Sequence, residues 1–321
     1  MDLKPHFPLK THFSANDVFN SFGSISKSRI TNNQKANAYL GKVVVSRAKV
    51  LWLGAMFLLA IIGGIATFTW DALLLFVVFT AFTLCFGHSL GMHRRLIHQS
   101  FACPLWLEYC LVHLGVIVGL AGPFGMIRTH DLRDWAQRQA QCHDFLGHQQ
   151  PAKIDVFWQL FCDLQLQEPP QIDIEPGIRQ DRVYQWMEKT WMWQQLPWAI
   201  LFYVLGGLPW VIWGICMRVV VSVLGHWMIG YFAHNHGEQH WQVSGAQIQG
   251  HNVKFASLLT MGESWHNNHH AFPGSAKLGI EQGQWDPGWW VLMCLEKLGL
   301  VWDLVLPKDL SPRPEMVLVA K

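Results

Sequence analysis

Val50 to Met92 read VLWLGAMFLLAIIGGIATFTW, Asp71, then ALLLFVVFTAFTLCFGHSLGM. The first run, Val50 to Trp70, is 21 residues without a charge. That is enough for a helix to cross a hydrocarbon core about 30 Å thick at about 1.5 Å per residue. Asp71 interrupts, and Ala72 to Met92 is again free of Asp, Glu, Lys and Arg, although His88 lies near its end. The pair reads as a helical hairpin turning at Thr69–Asp71. A second apolar pair lies between Trp191 and His234, with arms at about 196–215 and 219–234 and Arg218 between them. Gly206, Gly207 and Pro209 interrupt its first arm. The expected fold is an all-α integral membrane protein with four transmembrane helices in two hairpins, at about 50–70, 72–92, 196–215 and 219–234.

Composition agrees with that frame. Of 321 residues, 51% are hydrophobic and 14% charged, against about a quarter charged in soluble domains. Disorder is excluded on the same figures. A net charge of +2 gives no reason to expect a nucleic-acid partner. Eighteen Trp suit membrane interfaces. Seventeen His exceed what packing needs, and imidazole is the commonest metal-binding side chain. The seven Cys form no CxxC pair, so neither a zinc ribbon nor a disulfide frame is indicated. Lys42, Arg47 and Lys49 before the first helix, with Arg94, Arg95, Arg128 and Arg133 after the second, place both ends of the first hairpin in the cytoplasm. Residues 1–45 read as a polar cytoplasmic segment without signal-peptide character, 46–305 as the membrane domain and 306–321 as a tail. His6 and His12 fall in the polar segment and read as solvated. The stretch 105–127 is apolar but holds Glu108, His113 and several glycines, and reads as an interfacial or re-entrant helix rather than a fifth span.

The remaining histidines fall in three groups on the expected cytoplasmic side. The first contains His88, His93 and His98; the second His130, His143 and His148; the third runs from His226 and His234 to His266, His269 and His270. His266, His269 and His270 are spaced i, i+3, i+4, so they share a helix face and form a metal corner. His93 and His98 are five apart, about 140° around an ideal helix. They serve different ions unless the helix loosens there. His226 and His234, eight apart, fall roughly on one side, as two ions in a row would require. His130 and Asp134 are i, i+4 and can act as a pair. His113 reads as an interfacial, hydrogen-bonded histidine. His236, His240 and His251 are open between ligand and supporting roles, with Glu263, Asn235, Asn267 and Asn268 as candidate supports. So many histidines exceed one ion's capacity. The ferritin-like carboxylate site needs two ExxH pairs, and only Glu263–His266 has that spacing. A His-rich, carboxylate-poor di-iron centre fits oxygen chemistry on a lipid.

At these residues the chain resembles the membrane fatty acid desaturases of the stearoyl-CoA (Δ9 acyl) branch. Its first histidine box appears as H93-RRLI-H98 and its third as G262-ESWHNNHHAFP-273. The middle box departs. In A121-GPFGMIRTHDLRD-134, His130 holds the first position, while Arg133 and Asp134 stand where the family has histidines. Gly230 replaces a family Asn four residues before His234. His88 and His226, with His143 or His148 as further candidates, are expected to fill the vacated positions.

The resemblance implies a four-helix bundle with a cytoplasmic helical cap holding two irons per chain. The expected ligands are His88, His93, His98, His130, Asp134, His226, His234, His266, His269 and His270. It implies an O2-dependent enzyme that places a cis double bond in a long-chain acyl group, as a thioester or lipid ester, in a bacterial inner membrane. Trp135, Trp227 and Trp265 are candidates to line its tunnel or to anchor at the interface. No haem-attachment or dinucleotide motif is present, so electrons would come from a separate ferredoxin or cytochrome b5-type donor with its reductase. A hydroxylase or acetylenase shares the same chemistry. A non-catalytic His-rich metal protein is the remaining alternative.

Overall fold

The computed structural model describes residues 29–31, 35–311 and 313–319; His6 and His12 lie outside the described residues. The helices that build the fold are α1 (Arg47–Ala66), α2 (Trp70–Phe82), α3 (Leu105–Ile117), α4 (Pro123–Gln137), α5 (Asp144–Gly147), α6 (Ala152–Phe161), α7 (Arg182–Thr190), α8 (Gln195–Val211), α9 (Arg218–Asn235), α10 (His266–Ala271) and α11 (Pro287–Lys297). α2 continues without a break into a π-helical segment, Thr83–Ile97. Among the described residues, three helical stretches are long and apolar enough to cross a membrane: Arg47–Ala66, Trp70–Ile97 and Gln195–Asn235. Their largely exposed apolar side chains, such as Leu51, Ile65, Leu74 and Val204, suit lipid rather than water.

The first turn lies where the sequence put it. Thr69 caps α2 by accepting from Ala72 N at 3.3 Å, and Asp71 sits in the first helical turn, where a negative charge is favoured. The second turn does not. Gly207 adopts φ 67°, ψ −158°, backbone open essentially only to glycine, and the chain reverses there. Phe202 then packs on Ile215, and Arg218 Nη2 donates to Gln195 Oε1 at 2.7 Å across the two arms. Trp210 Nε1 donates to Asp71 Oδ2 at 2.5 Å, which ties the second turn to the first. The expected boundary at Arg218 is thereby corrected: Arg218 is fully buried inside the second arm. Its cost is met by acceptors, since it donates to Gly214 O at 2.8 Å and to Ile117 O at 2.7 Å, where it closes the C-terminus of α3.

α3 has 13 residues, about 20 Å, too short to cross. The expected 105–127 helix breaks at Gly119, φ 97°, and α4 starts afresh at Pro123, a favoured first helical residue. α3 lies directly on the π-helical segment. A Cβ at Gly91 would stand 2.3 Å from Leu111 O, and one at Gly87 2.3 Å from the Leu114 carbonyl carbon. The first-turn amides of Phe124 and Gly125 at the head of α4, which have no partner within the helix, donate to Glu188 Oε2 from α7, at 2.9 and 3.2 Å.

The protein is mostly helical, which fits an all-α membrane protein, and its strands are only two to five residues long. Among the described residues, three antiparallel two-stranded ribbons pair β1 (Ile30–Thr31) with β4 (Gln171–Ile172), β2 (Gly41–Val45) with β3 (Cys162–Leu166), and β5 (Trp241–Val243) with β6 (Met316–Leu318). Val43 opposes Leu164 in the second ribbon. The described strands Ile30–Thr31, Gly41–Val45 and Met316–Leu318 are thereby paired to later or earlier parts of the chain. Arg29 pairs with Asp131 and Glu175, and Arg313 donates to His270 O at 2.9 Å.

Candidate metal centre

The π-helical segment answers the spacing problem of the first histidine group. With i→i+5 bonding, as in His98 N to His93 O at 3.0 Å, residues five apart come round to nearly one face. His93 and His98 thus point together, ring centroids 4.8 Å apart. His130 from α4 and His269 from α10 complete a tetrad whose ligand atoms all lie within 4.8 Å of one another. A second cluster adjoins it, formed by His234 at the end of α9 with His266 and His270 of α10. The i, i+3, i+4 corner is therefore split, with His269 turned to one cluster and its two neighbours to the other. His266 and His269 remain 5.6 Å apart.

The nitrogens converge as metal ligands would. His98 and His130 face each other Nε2 to Nε2 at 3.2 Å, His234 and His266 at 3.1 Å, and His266 and His270 at 3.0 Å. Imidazoles bound about 2.1 Å from one ion and near right angles place their nitrogens about 3 Å apart. Several opposite ring nitrogens are held. His93 Nδ1 meets Glu263 Oε2 at 2.5 Å, His130 Nδ1 meets Asp131 Oδ1 at 3.2 Å, and His234 Nδ1 donates to Gly230 O at 2.7 Å. That arrangement fixes Nε2 as the inward lone pair. His269 is buried, and among the described residues neither of its ring nitrogens has a hydrogen-bond partner, a costly state unless a further group takes a lone pair. The donor set, imidazole with little carboxylate and no thiolate, fits iron.

Electrostatics prepare the same state. Burial, then neighbouring imidazoles, holds His266 and His269 well below the ordinary histidine range, and burial brings His270 down to about 4. They are neutral, as ligation demands. His130 goes the other way: burial opposes it, but Asp134 and Asp131 raise it. Burial likewise opposes ionisation of Asp134, yet His130, Arg138 and His270 hold its carboxyl far below the usual range. Asp134 is thus an anion whose partners come from both clusters.

Other expected residues are placed elsewhere. His88 and His226 enter neither cluster; they face each other with ring centroids 5.0 Å apart. His148 is the ring that fills the space at Gly230, where a Cβ would stand 3.0 Å from His148 Nε2. His148 Nδ1 meets the buried Asp155 at 2.8 Å, and Trp227 Nε1 donates to the same carboxylate at 2.8 Å. Arg133, which cannot ligate, turns to Gln159 Oε1 at 2.8 Å and to His148 Nε2. His143 caps α5 through Phe145 N at 3.1 Å, away from both clusters. His113 accepts from Trp198 Nε1 at 3.0 Å, which bears out the hydrogen-bonded part of its expected role. His240 pairs with Glu281, and His251 with Gln239. Of the four candidate supports, Glu263 contacts a clustered ring, whereas the Asn235 amide holds the His148 carbonyl. Trp265 is buried and donates to Trp285 O at 2.7 Å. The supports Asp131 and Asp155 carried no motif signal beyond being acids within seven residues of a histidine.

A family profile described as fatty acid desaturase matches residues 68–277. An acyl-CoA 5-desaturase of Anemone leveillei is 30% identical over 275 residues, covering 84% of this chain and 80% of the relative. An sn-2 palmitoyl-lipid 9-desaturase of Nostoc is 31% identical, covering 74% and 83%. An sn-1 stearoyl-lipid 9-desaturase of Anabaena variabilis is 29% identical, covering 81% and 96%.

Proposed function

The chain belongs to the fatty acid desaturase family, and from that premise we propose that it introduces a cis double bond into a long-chain acyl group, carried as a thioester or a lipid ester. The observation that carries the reading is the pair of adjoining histidine clusters, four and three residues strong, sharing α10. We assign one iron to His93, His98, His130 and His269, and a second to His234, His266 and His270. Asp134 supplies negative charge between them, and the His88–His226 pair flanks the first cluster. Bound iron supplies the O2 chemistry that attacks an unactivated methylene. The net reaction takes two hydrogens from neighbouring carbons and consumes O2, two electrons and two protons, giving an alkene and two waters. The protein holds the ring nitrogens, excludes water and positions two methylenes. Glu263 anchors His93 and is itself fixed by Ser89 Oγ at 2.5 Å.

In this reading the chain crosses the membrane four times, reversing at Thr69–Asp71 and at Gly207. The 28 residues of Trp70–Ile97 exceed the roughly 20 that a bilayer core needs. Its surplus, with the end of α9, lifts the clusters into a cytoplasmic cap. The membrane is a bacterial inner membrane, and a separate ferredoxin or cytochrome b5-type donor with its reductase delivers the electrons. The test is expression in a host without desaturases, together with such a donor, followed by mass spectrometry of the acyl chains. A new monounsaturated species supports the reading; a hydroxylated or triple-bonded product alone reassigns the outcome, and an unchanged profile overturns it.

A further inference from the structure

We propose that Gln137 is a metal-ligating residue of the three-histidine cluster, its amide oxygen standing as the fourth protein ligand beside His234, His266 and His270. The inference rests on the two-ion reading given above. Gln137 is the last residue of α4 and is 1% exposed. Its Nε2 donates to Leu146 O at 2.8 Å, which fixes the end of the amide that is oxygen. Oε1 then lies 3.1 Å from His234 Nε2. His234 Nε2 is the same 3.1 Å from His266 Nε2, which is 3.0 Å from His270 Nε2. The amide oxygen therefore continues the spacing by which the imidazoles converge.

The proton positions make this arrangement unsatisfied without a cation. His234 Nδ1 faces Gly230 O at 2.7 Å, and a carbonyl only accepts, so Nδ1 carries the hydrogen. A neutral imidazole has one N–H, so Nε2 presents a lone pair to the lone pairs of Gln137 Oε1. At 3.1 Å these repel unless something positive stands between them. A second proton would put an imidazolium against His266 and His270, while the polar contacts of His234 among the described residues are ring nitrogens, a carbonyl and an amide, with no carboxylate. A divalent cation satisfies all the donors together, and amide oxygen with imidazole is an ordinary donor set for a first-row ion. The location is also apt. Arg133, one turn earlier on α4, occupies a position where the resembled family carries a histidine, and its guanidinium turns away to Gln159. Gln137 gives the same helix a ligand one turn later.

The full-length chain, freed of metal, is titrated with Co(II) and followed by its visible d–d absorption. Wild type should take two Co(II). Gln137→Leu should take one tightly, with the second weakened beyond the roughly 10–100-fold seen on losing an outer partner of a ligand. Gln137→Glu keeps an oxygen lone pair but cannot donate to Leu146 O; it should retain two Co(II) with a shifted spectrum. If Gln137→Leu does not fold, Gln137→Lys, which offers Leu146 a donor and no lone pair, takes its place and should lose the second ion. Unchanged stoichiometry, affinity and spectrum in the leucine or lysine variant overturns the inference. So does a glutamate variant as impaired as the leucine one, which would assign the effect to the Leu146 contact. Wild type that takes fewer than two Co(II) sinks the two-ion reading, and this inference with it.

Discussion

His269 carries the centre most directly at the scale of single residues. It is buried and neutral, and among the described residues neither ring nitrogen has a hydrogen-bond partner. On the proposed assignment, replacing it by alanine removes a ligand atom without orphaning a hydrogen-bond partner among the described residues. His269→Ala should lose one iron per chain by elemental analysis and at least ~100-fold of activity, since a ligand outranks a supporting residue worth about 10–100-fold. Its melting temperature in the metal-free state should hardly change. His143 is the control. It was a candidate ligand by proximity in sequence, but its ring caps α5. His143→Ala should cost about 1 kcal/mol of stability as a lost cap and leave the iron content intact. Equal iron loss in both variants would contradict the assignment. Arg133 shows the limit of reading residues one at a time. Its identity excludes it from ligation, but only its contacts with Gln159 and His148 reveal which way it turns.

The decisive element is the π-helical segment Thr83–Ile97. A regular helix would spread His93 and His98 about 140° apart, and i→i+5 bonding brings them together. Its neighbour α3 helps hold that geometry, because Gly87 and Gly91 let the α3 backbone approach to contact distance. Gly91→Ala would drive a Cβ to 2.3 Å from Leu111 O, which is backbone and cannot yield cheaply. Overpacking of this kind costs about 1–3 kcal/mol or more. The variant should melt several degrees lower and, because the segment carries two of the proposed ligands, also bind less iron. A variant with wild-type melting and full iron would show that the α3 contact does not set the segment's shape. Gly207 plays a comparable part in the second hairpin, where its φ of 67° and ψ of −158° turn the chain.

For the whole molecule, two consequences follow from collecting so many histidines under cover. The first is acid lability. His270 titrates at about 4 when folded, against 6.5 as an ordinary histidine. Between those values the unfolded chain takes up protons that the folded site refuses, so stability present above pH 6.5 is lost as pH falls toward 4. His266 and His269 shift the same way. Metal-free protein in detergent should melt progressively lower across that window, and iron should leave the intact protein in the same range. A flat melting temperature from pH 7 to pH 4.5 would contradict this. The second is sidedness. Trp210 joins the two turns at one end of the apolar helices, and the clusters lie at the other. Cysteines introduced at Asp71 and at Asp173 should be labelled from opposite sides of sealed vesicles. Labelling from one side would refute the four-crossing reading.

The sequence by itself determined the apolar helices and the supply of imidazole. Uncharged runs of helical length suit lipid, and histidines in such numbers and spacings point to clusters that could bind metal, because both are properties of composition and local periodicity. It also located the Thr69–Asp71 turn and the His266, His269, His270 corner, each of which is written in contiguous residues. It misplaced the second turn, since a charge reads as a boundary in sequence, whereas Arg218 is buried by acceptors from α3 and α8 that only packing supplies. It offered His88 and His226 for the vacated positions, where the structure puts His148 against Gly230 and Gln137 against His234. The i→i+5 winding, the division of the corner between two clusters and the approach of His130 to His98 came from helices meeting across distant parts of the chain. Ligand sets are fixed by distances of about 3 Å between side chains on separate elements, and no spacing along a single chain encodes those.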